Sequence, residues 1–383
     1  MSVNSLPDRQ AKWRAVTTKR NRIAQTVAGI SAALALAGVG VAANAASGVA
    51  AVPPEAKALS WQIVDYGNSL PNSTFSAVVA TSKTTGWAFA GGAPFAYERT
   101  GATGWKKVKL PAGDSTNIVA AAASSPGNVW AVSNAANDTA QVLTWNGFAW
   151  SRVKTLPGWT NDVSVLGRSD VWVFNAPSGS AEGGVWHFTG HAWTRVSATY
   201  GAGFARTDKD VWAFTPFHGA TMAHFNGAAW TTYNLARLLP PGIGRHDPVG
   251  THLAAVRALS AGDVYALGVG DNQTNAGGPL VVLHYNGHAW TKVASGNYGD
   301  ITGNFSADGH GGLWIPATKP DGILALLHYS AGRLTPAATP GNAGSPAEIF
   351  SVSQVPGAAG QLAGGEVEAA DGRLMYADLL QYG

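Results

Sequence analysis

The chain has 383 residues, of which 46% are hydrophobic and only 12% charged, so it can bury a large core and is not a disordered polymer. It contains no cysteine, which excludes a disulfide framework. Its formal net charge is +3, but six Lys and Arg against one Asp fall in the first 45 positions, leaving the remainder at −2 and without the basic patch that nucleic acid or an anionic membrane requires.

Those first 45 residues read as an export signal. Lys19, Arg20 and Arg22 precede an apolar run at 27–42, and Ala43-Asn44-Ala45 offers small residues at both positions of a cleavage site. A membrane anchor is the alternative, but 16 apolar residues are few for a spanning helix. The mature protein is expected to be secreted, monomeric and free of the membrane. Residues 46–59 are small, proline-bearing and without period, as in a linker, and the folded body is expected over 60–383.

The body repeats itself. Phrases of the form A-W-x-x-V start at Trp61, Trp105, Trp150, Trp193, Trp230 and Trp290, with a degenerate copy at Leu334. Their separations of 44, 45, 43, 37, 60 and 44 residues match the unit of a four-stranded propeller blade. Between them come phrases such as Asp170-Val171-Trp172, Asp210-Val211-Trp212 and Asp263-Val264-Tyr265, then His187-Phe188, His224-Phe225-Asn226-Gly227 and His284-Tyr285-Asn286-Gly287.

One unit divides into strands A to D at 253–259, 263–267, 281–285 and 290–293, with Asn286-Gly287 expected as a two-residue type I′ turn between C and D. Strands B and C are apolar on both sides, so neither face could be buried by one unit alone. Radial stacking of blades solves this. The last repeat supplies A, B and C only, while Trp61 opens a D strand that nothing precedes. The N-terminal strand should complete the C-terminal blade and close a seven-bladed, all-β propeller.

The D-V-W-A and H-[FY]-N-G-x-A-W phrases resemble the repeats of secreted bacterial propellers grouped loosely with the kelch and galactose oxidase type. That resemblance covers 60–383 and implies architecture only. The copper site of galactose oxidase needs a cysteine-linked tyrosine, and this chain has no cysteine. Neither the Ser-x-Asp-x-Gly-x-x-Trp box of sialidases nor the Gly-His with Trp-Asp pairing of WD repeats is present, since no tryptophan is followed by aspartate.

Functional residues are therefore sought off the repeat. His187, His224, His284 and His328 share one strand-C position with Thr144 and Gln381, an interchange expected of a hydrogen-bonding group served by an adjacent strand. The Asp residues before Val-Trp read as turn formers. If A runs from top to bottom, the D–A links and B–C loops form an irregular upper face and the A–B and C–D turns a repetitive lower one. Binding is expected above.

The longest link, 234–251, carries Arg245, His246 and Asp247 and ends beside His252, with His218, Asp271 and Asn272 on the same side. Arg245, His246 and His252 are candidates for acid–base catalysis on an anionic substrate. His246, Asp247 and His252 are candidates for a divalent metal, the only cofactor left open. The alternative is a solvated loop whose charges pair with one another. Tyr66, Trp159, Tyr200 and Tyr298 fall on D–A links as a candidate ligand-binding rim for sugar faces, together with His218, and Asp65, Asn117, Asn161 and Asp300 could add hydrogen bonds. The alternative is that these rings pack over blade ends.

Three functions fit. The first is a binding propeller for a glycan or cell-surface polymer. The second is a polysaccharide lyase or hydrolase acting on an acidic sugar polymer, although no carboxylate pair marks a glycosidase. The third is a scaffold for another secreted protein.

Overall fold

A computed structural model describes residues 59–383 apart from 72, 102–103, 114–116, 217–218, 241–250, 271–278, 321, 343–344 and 369–374. The leader, the linker through residue 58, Arg245, His246, Asp247, His218, Asp271 and Asn272 thus lie outside the described residues.

Short β-branched and aromatic runs separated by turn residues become strands, and strands that follow one another in sequence pair antiparallel. Six sheets of four consecutive strands result. Blade 5 is typical, with strands His252–Ser260, Asp263–Val269, Leu280–Tyr285 and Trp290–Gly296, each beginning or ending within three residues of the sequence expectation. No helix occurs among the described residues.

The seventh sheet closes the ring. Its order places Trp61–Pro71 beside Met375–Tyr382, followed inward by Gln361–Glu368 and Glu348–Gln354. Trp61 pairs with Tyr382, Gln62 with Gln381 and Ile63 with Leu380. Blade 1 is tied to the same sheet by Val78 and Ala80, whose N–H groups donate to Ser351 Oγ (3.2 Å) and Ser353 Oγ (3.0 Å). The buried Arg99 donates to Gln381 Oε1 across 2.6 Å.

The core lies between successive blades. One cluster joins Trp87 and Phe89 of blade 1 to Trp145 and Trp150 of blade 2, and another joins Trp212 and Phe214 of blade 4 to Val264, Leu283 and Trp290 of blade 5. Second strands such as Asp210–Phe214 are buried along their whole length, whereas outer strands such as Trp230–Asn234 are not. An aromatic ring fully buried in this way contributes about 4–6 kcal/mol of transfer free energy before the entropy of ordering is charged against it.

One local expectation fails. Asn286-Gly287 is not a two-residue type I′ turn, because the strands end at Tyr285 and resume at Trp290, leaving a four-residue loop. Among these loop residues only Gly287 has positive φ (90°). Asn286 acts through its side chain instead, its Oδ1 accepting the N–H groups of His288 and Ala289 at 3.0 Å each. Asn146 and Asn226 do the same. The side-chain carboxamide replaces the backbone turn hydrogen bond, which is the other reason asparagine is favoured in turns.

The innermost strands stand side by side around the axis and wall a central channel. In blades 1, 2, 3, 5 and 7 each carries a bulge near its upper end, at Ser76, Val119, Asn161, Ala254 and Phe350. The innermost strands of blades 2 to 5 are also irregular near their lower ends, between Ala123 and Ser125, Val165 and Gly167, Ala205 and Thr207, and Ala258 and Ser260. A bulge bends its strand and re-aims the side chains around it, so the wall is irregular at both ends and regular between them.

Candidate functional site: the upper mouth of the axial channel

The repeated histidines belong to the scaffold. Nε2 of His187, His224, His284 and His328 each lies 2.8 Å from a carboxylate oxygen, of Asp170, Asp210, Asp263 and Asp308 respectively. The first three acids are the presumed turn formers, and they do more than turn the chain. Asp170 and Asp210 also accept the indole N–H of Trp172 (3.2 Å) and Trp212 (2.8 Å), while the imidazoles stack on those indoles at 4.0 and 4.2 Å. Burial alone would raise Asp210, but hydrogen bonds from His224 and Arg206 and their charges hold it below the usual carboxylate range. Asp308 is held down in the same sense by His328 and the N–H groups of His310 and Gly312.

The innermost strands hold a different cluster. Asp162 lies on the innermost strand of blade 3 (Trp159–Gly167), one residue past the bulge, and Arg257 on that of blade 5. The carboxylate accepts hydrogen bonds from the backbone of Gly203 in blade 4 and the side chain of Asn304 just before blade 6, and it feels the charge of Arg257. Groups from non-adjacent blades can meet only across the axis, so this cluster spans the channel. Asp162 keeps some accessible surface. Protein nonetheless surrounds it, and burial pushes its carboxyl up to about 7 against the opposing pull of Gly203, Arg257 and Asn304.

Arg257 is gripped from both sides. Its guanidinium carbon lies 5.0 Å from the Phe204 ring centroid and 5.9 Å from that of Phe305. Burial lowers its pKa and Asp162 partly restores it. A desolvated cation between two rings gains about 2 kcal/mol from their quadrupoles. Gly203, whose backbone bonds Asp162, has no room for a side chain, since a Cβ there would sit 2.3 Å from Trp212 O and 2.7 Å from the Phe174 ring.

A second acid with a raised pKa lies between blades 7 and 1. Glu366 accepts the Thr74 hydroxyl and stands directly opposite Glu348 in the ladder. Burial pushes Glu366 up to about 7, the Thr74 bond opposes this, and the neighbouring Glu348 charge adds to it. No carboxylate pair is marked by spacing in the sequence; strand register alone brings this one together.

The sequence candidates are distributed as follows. Trp159 is half-buried at the head of the strand that carries Asp162. Asn161 Nδ2 donates to Gly201 O at 2.7 Å, which draws the link bearing Tyr200 to that strand head. Tyr200 is half-buried against Trp230 at 5.0 Å, and burial raises its hydroxyl pKa. Tyr298 packs against the cluster between blades 5 and 6, far around the ring from Trp159 in chain order. Tyr66 pairs with Asp378 in the closing sheet. His252 is a buried residue opening the innermost strand of blade 5. It is the one described member of the candidate metal and catalytic sets, and among the described residues no group of three or more His, Cys, Asp or Glu converges.

Asp162, Arg257, Asn304, Glu348 and Glu366 were not singled out from sequence. The available signal was a charge inside an apolar innermost strand: Arg257 interrupts Leu-Ala-Ala-Val-Arg-Ala-Leu, and Asp162 precedes Val-Ser-Val-Leu.

No protein-family model and no curated protein sequence matches the chain. Solved structures do resemble it. A structure of YCF48 bound to D1 peptide superposes with a TM-score of 0.55 at 12% identity, covering 84% of this chain and 96% of that one. Virginiamycin B lyase from Staphylococcus aureus gives 0.53 at 12% identity, covering 84% and 99%. The WD40 propeller domain of Doa1 gives 0.53 at 11% identity, covering 83% and 96%. At such identities the likeness shows the propeller fold and nothing finer.

Proposed function

We propose that this chain is a secreted binding propeller that recognises an extracellular glycan or cell-surface polymer on its upper face, at the mouth of the axial channel. The observation that carries this reading is the placement of Trp159 and Asp162 on one strand head, with the Asp162–Arg257–Asn304 cluster crossing the channel beneath the irregular links. A half-buried indole offers an apolar face to a sugar ring, and polar groups set in a walled channel can select its substituents. The repeated Asp, His and Trp are occupied in holding blades together, which leaves the upper face as the place for recognition. Export under the leader at 1–45, a linker at 46–59, monomeric action and kinship with kelch-type secreted propellers belong to the same proposal. Titration of neutral and acidic polysaccharides into the chain beginning at residue 46 tests it: saturable binding that Trp159→Ala weakens supports the reading, and no binding to any of them removes it.

A second reading, a lyase or hydrolase acting on an acidic sugar polymer, is favoured by one observation. Asp162 changes charge near neutrality beside a fixed cation, a combination suited to proton transfer next to an anionic substrate. Virginiamycin B lyase bears that name on a similar fold; YCF48, bound to a peptide, points to the protein-binding alternative. Release of unsaturated or reducing ends from polygalacturonate, lost in Asp162→Asn, would support the enzyme.

A further inference from the structure

Blades 3 to 6 fill the space against the second-strand aromatic with a histidine; blade 2 does not. Its Asp and His are replaced by Asn128 and Thr144, with Thr144 directly opposite Trp130 in the ladder. Asn128 is held in place by its neighbours, accepting the Trp130 indole N–H at 3.0 Å and donating to Ser124 Oγ at 2.7 Å. An open groove of about 680 Å³ begins at this vacated position and runs along the lower face to the C–D turn of blade 3.

The groove is basic and partly apolar. Lys154 enters it from the outer strand of blade 2, Arg168 from the A–B turn of blade 3 and His191 from the next turn, all three exposed. Phe188 and Trp193 line it, and no carboxylate is among its described lining residues. This stands against the −2 of the chain after residue 45. Two of the four exposed large hydrophobics among the described residues belong to this region: Val153 (42%) is in the groove wall, and Phe148 (91%) is on the loop that carries Asn146, which lines it. The outer strand of blade 2, Trp150–Pro157, ends its sheet and exposes residues 151–155 in succession.

We propose that this groove docks an extended acidic polypeptide segment, which lays carboxylates against Lys154 and Arg168 and apolar side chains against Val153 and Phe148. The strand edge beside the groove offers backbone donors and acceptors that an extended peptide can match, and the exposed Val153 suits an apolar side chain rather than a sugar acid. The site is separate from the upper mouth and does not depend on what binds there.

The test is fluorescence anisotropy of a fluorescein-labelled peptide of alternating Glu and Leu, titrated with the protein beginning at residue 46. Saturable binding is expected, weakened about tenfold by the double variant Lys154→Glu, Arg168→Glu and weakened also by Thr144→His, which restores the imidazole of the repeat. Lys209→Glu, on the corresponding turn of blade 4, and Trp159→Ala on the upper face should leave it unchanged. All substituted side chains except Thr144 and Trp159 are exposed, and matching thermal midpoints would show that the fold is intact. Absence of saturable binding, equal affinity in the Lys154/Arg168 double variant, or displacement of the peptide by polygalacturonate would each overturn the proposal.

Discussion

Trp61 lies opposite Tyr382 in an antiparallel pair, with ring centroids 5.4 Å apart, and meets Trp314 of blade 6 edge-on at 5.3 Å. One indole thus joins the closing strand to the seventh sheet and that sheet to its neighbour. Trp61→Ala would leave a cavity among Trp314, Ala347 and Leu380 and should cost about 3–5 kcal/mol. Urea unfolding of the chain beginning at residue 46 would show this as a lower midpoint at unchanged slope. A loss below about 1 kcal/mol would mean that the strand is not needed to hold the ring.

Gly203 should tolerate no side chain. Its backbone serves Asp162, and the space above its Cα is taken by Trp212 O and the Phe174 ring. Gly203→Ala forces these apart and should destabilise by about 1–3 kcal/mol. It should also loosen Asp162, seen as a shift of that carboxyl resonance toward the ordinary value in a pH titration by NMR.

Asp162 and Glu366 make stability fall as pH rises. Each carboxyl ionises near pH 4 when unfolded and near 7 when folded, so between those values the folded state holds more protons and loses stability with increasing pH. Asp162→Asn and Glu366→Gln should flatten the melting temperature across pH 4–7, each in part. Parallel curves for wild type and variants would place both carboxyls at ordinary values.

Asp210 acts in the opposite direction. Its folded value lies below the unfolded one, so its contribution is present above about pH 4 and is lost as pH falls through the folded value. Asp210→Asn should therefore reduce stability at neutral pH and weaken the acid dependence. Retention of the full acid-side loss in the variant would assign that loss to other carboxylates.

Sequence repetition made the propeller legible, because each blade solves the same burial problem with the same residues. His224 and Asp210 could be read as structural for that reason, although the bond between them could not. The pairing of Trp61–Pro71 with the last strand followed from counting which strand each end lacked. The axial cluster was hidden because Asp162 and Arg257 come from blades two apart and meet only when the ring closes. Glu366 and Glu348 were hidden because register, not spacing, places them opposite each other. The Asn286 loop was misread because asparagine serves turns either by adopting positive φ or by accepting hydrogen bonds through its side chain, and the sequence is the same for both.

The most direct test of the central claim is isothermal titration of neutral and acidic polysaccharides into the chain beginning at residue 46, alongside Trp159→Ala and Arg257→Met. Binding at the upper mouth predicts saturable heat with at least one polysaccharide, weakened about tenfold or more in both variants, as for loss of a stacked ring or a desolvated charge contact. Equal affinity in the wild type and both correctly folded variants would contradict it.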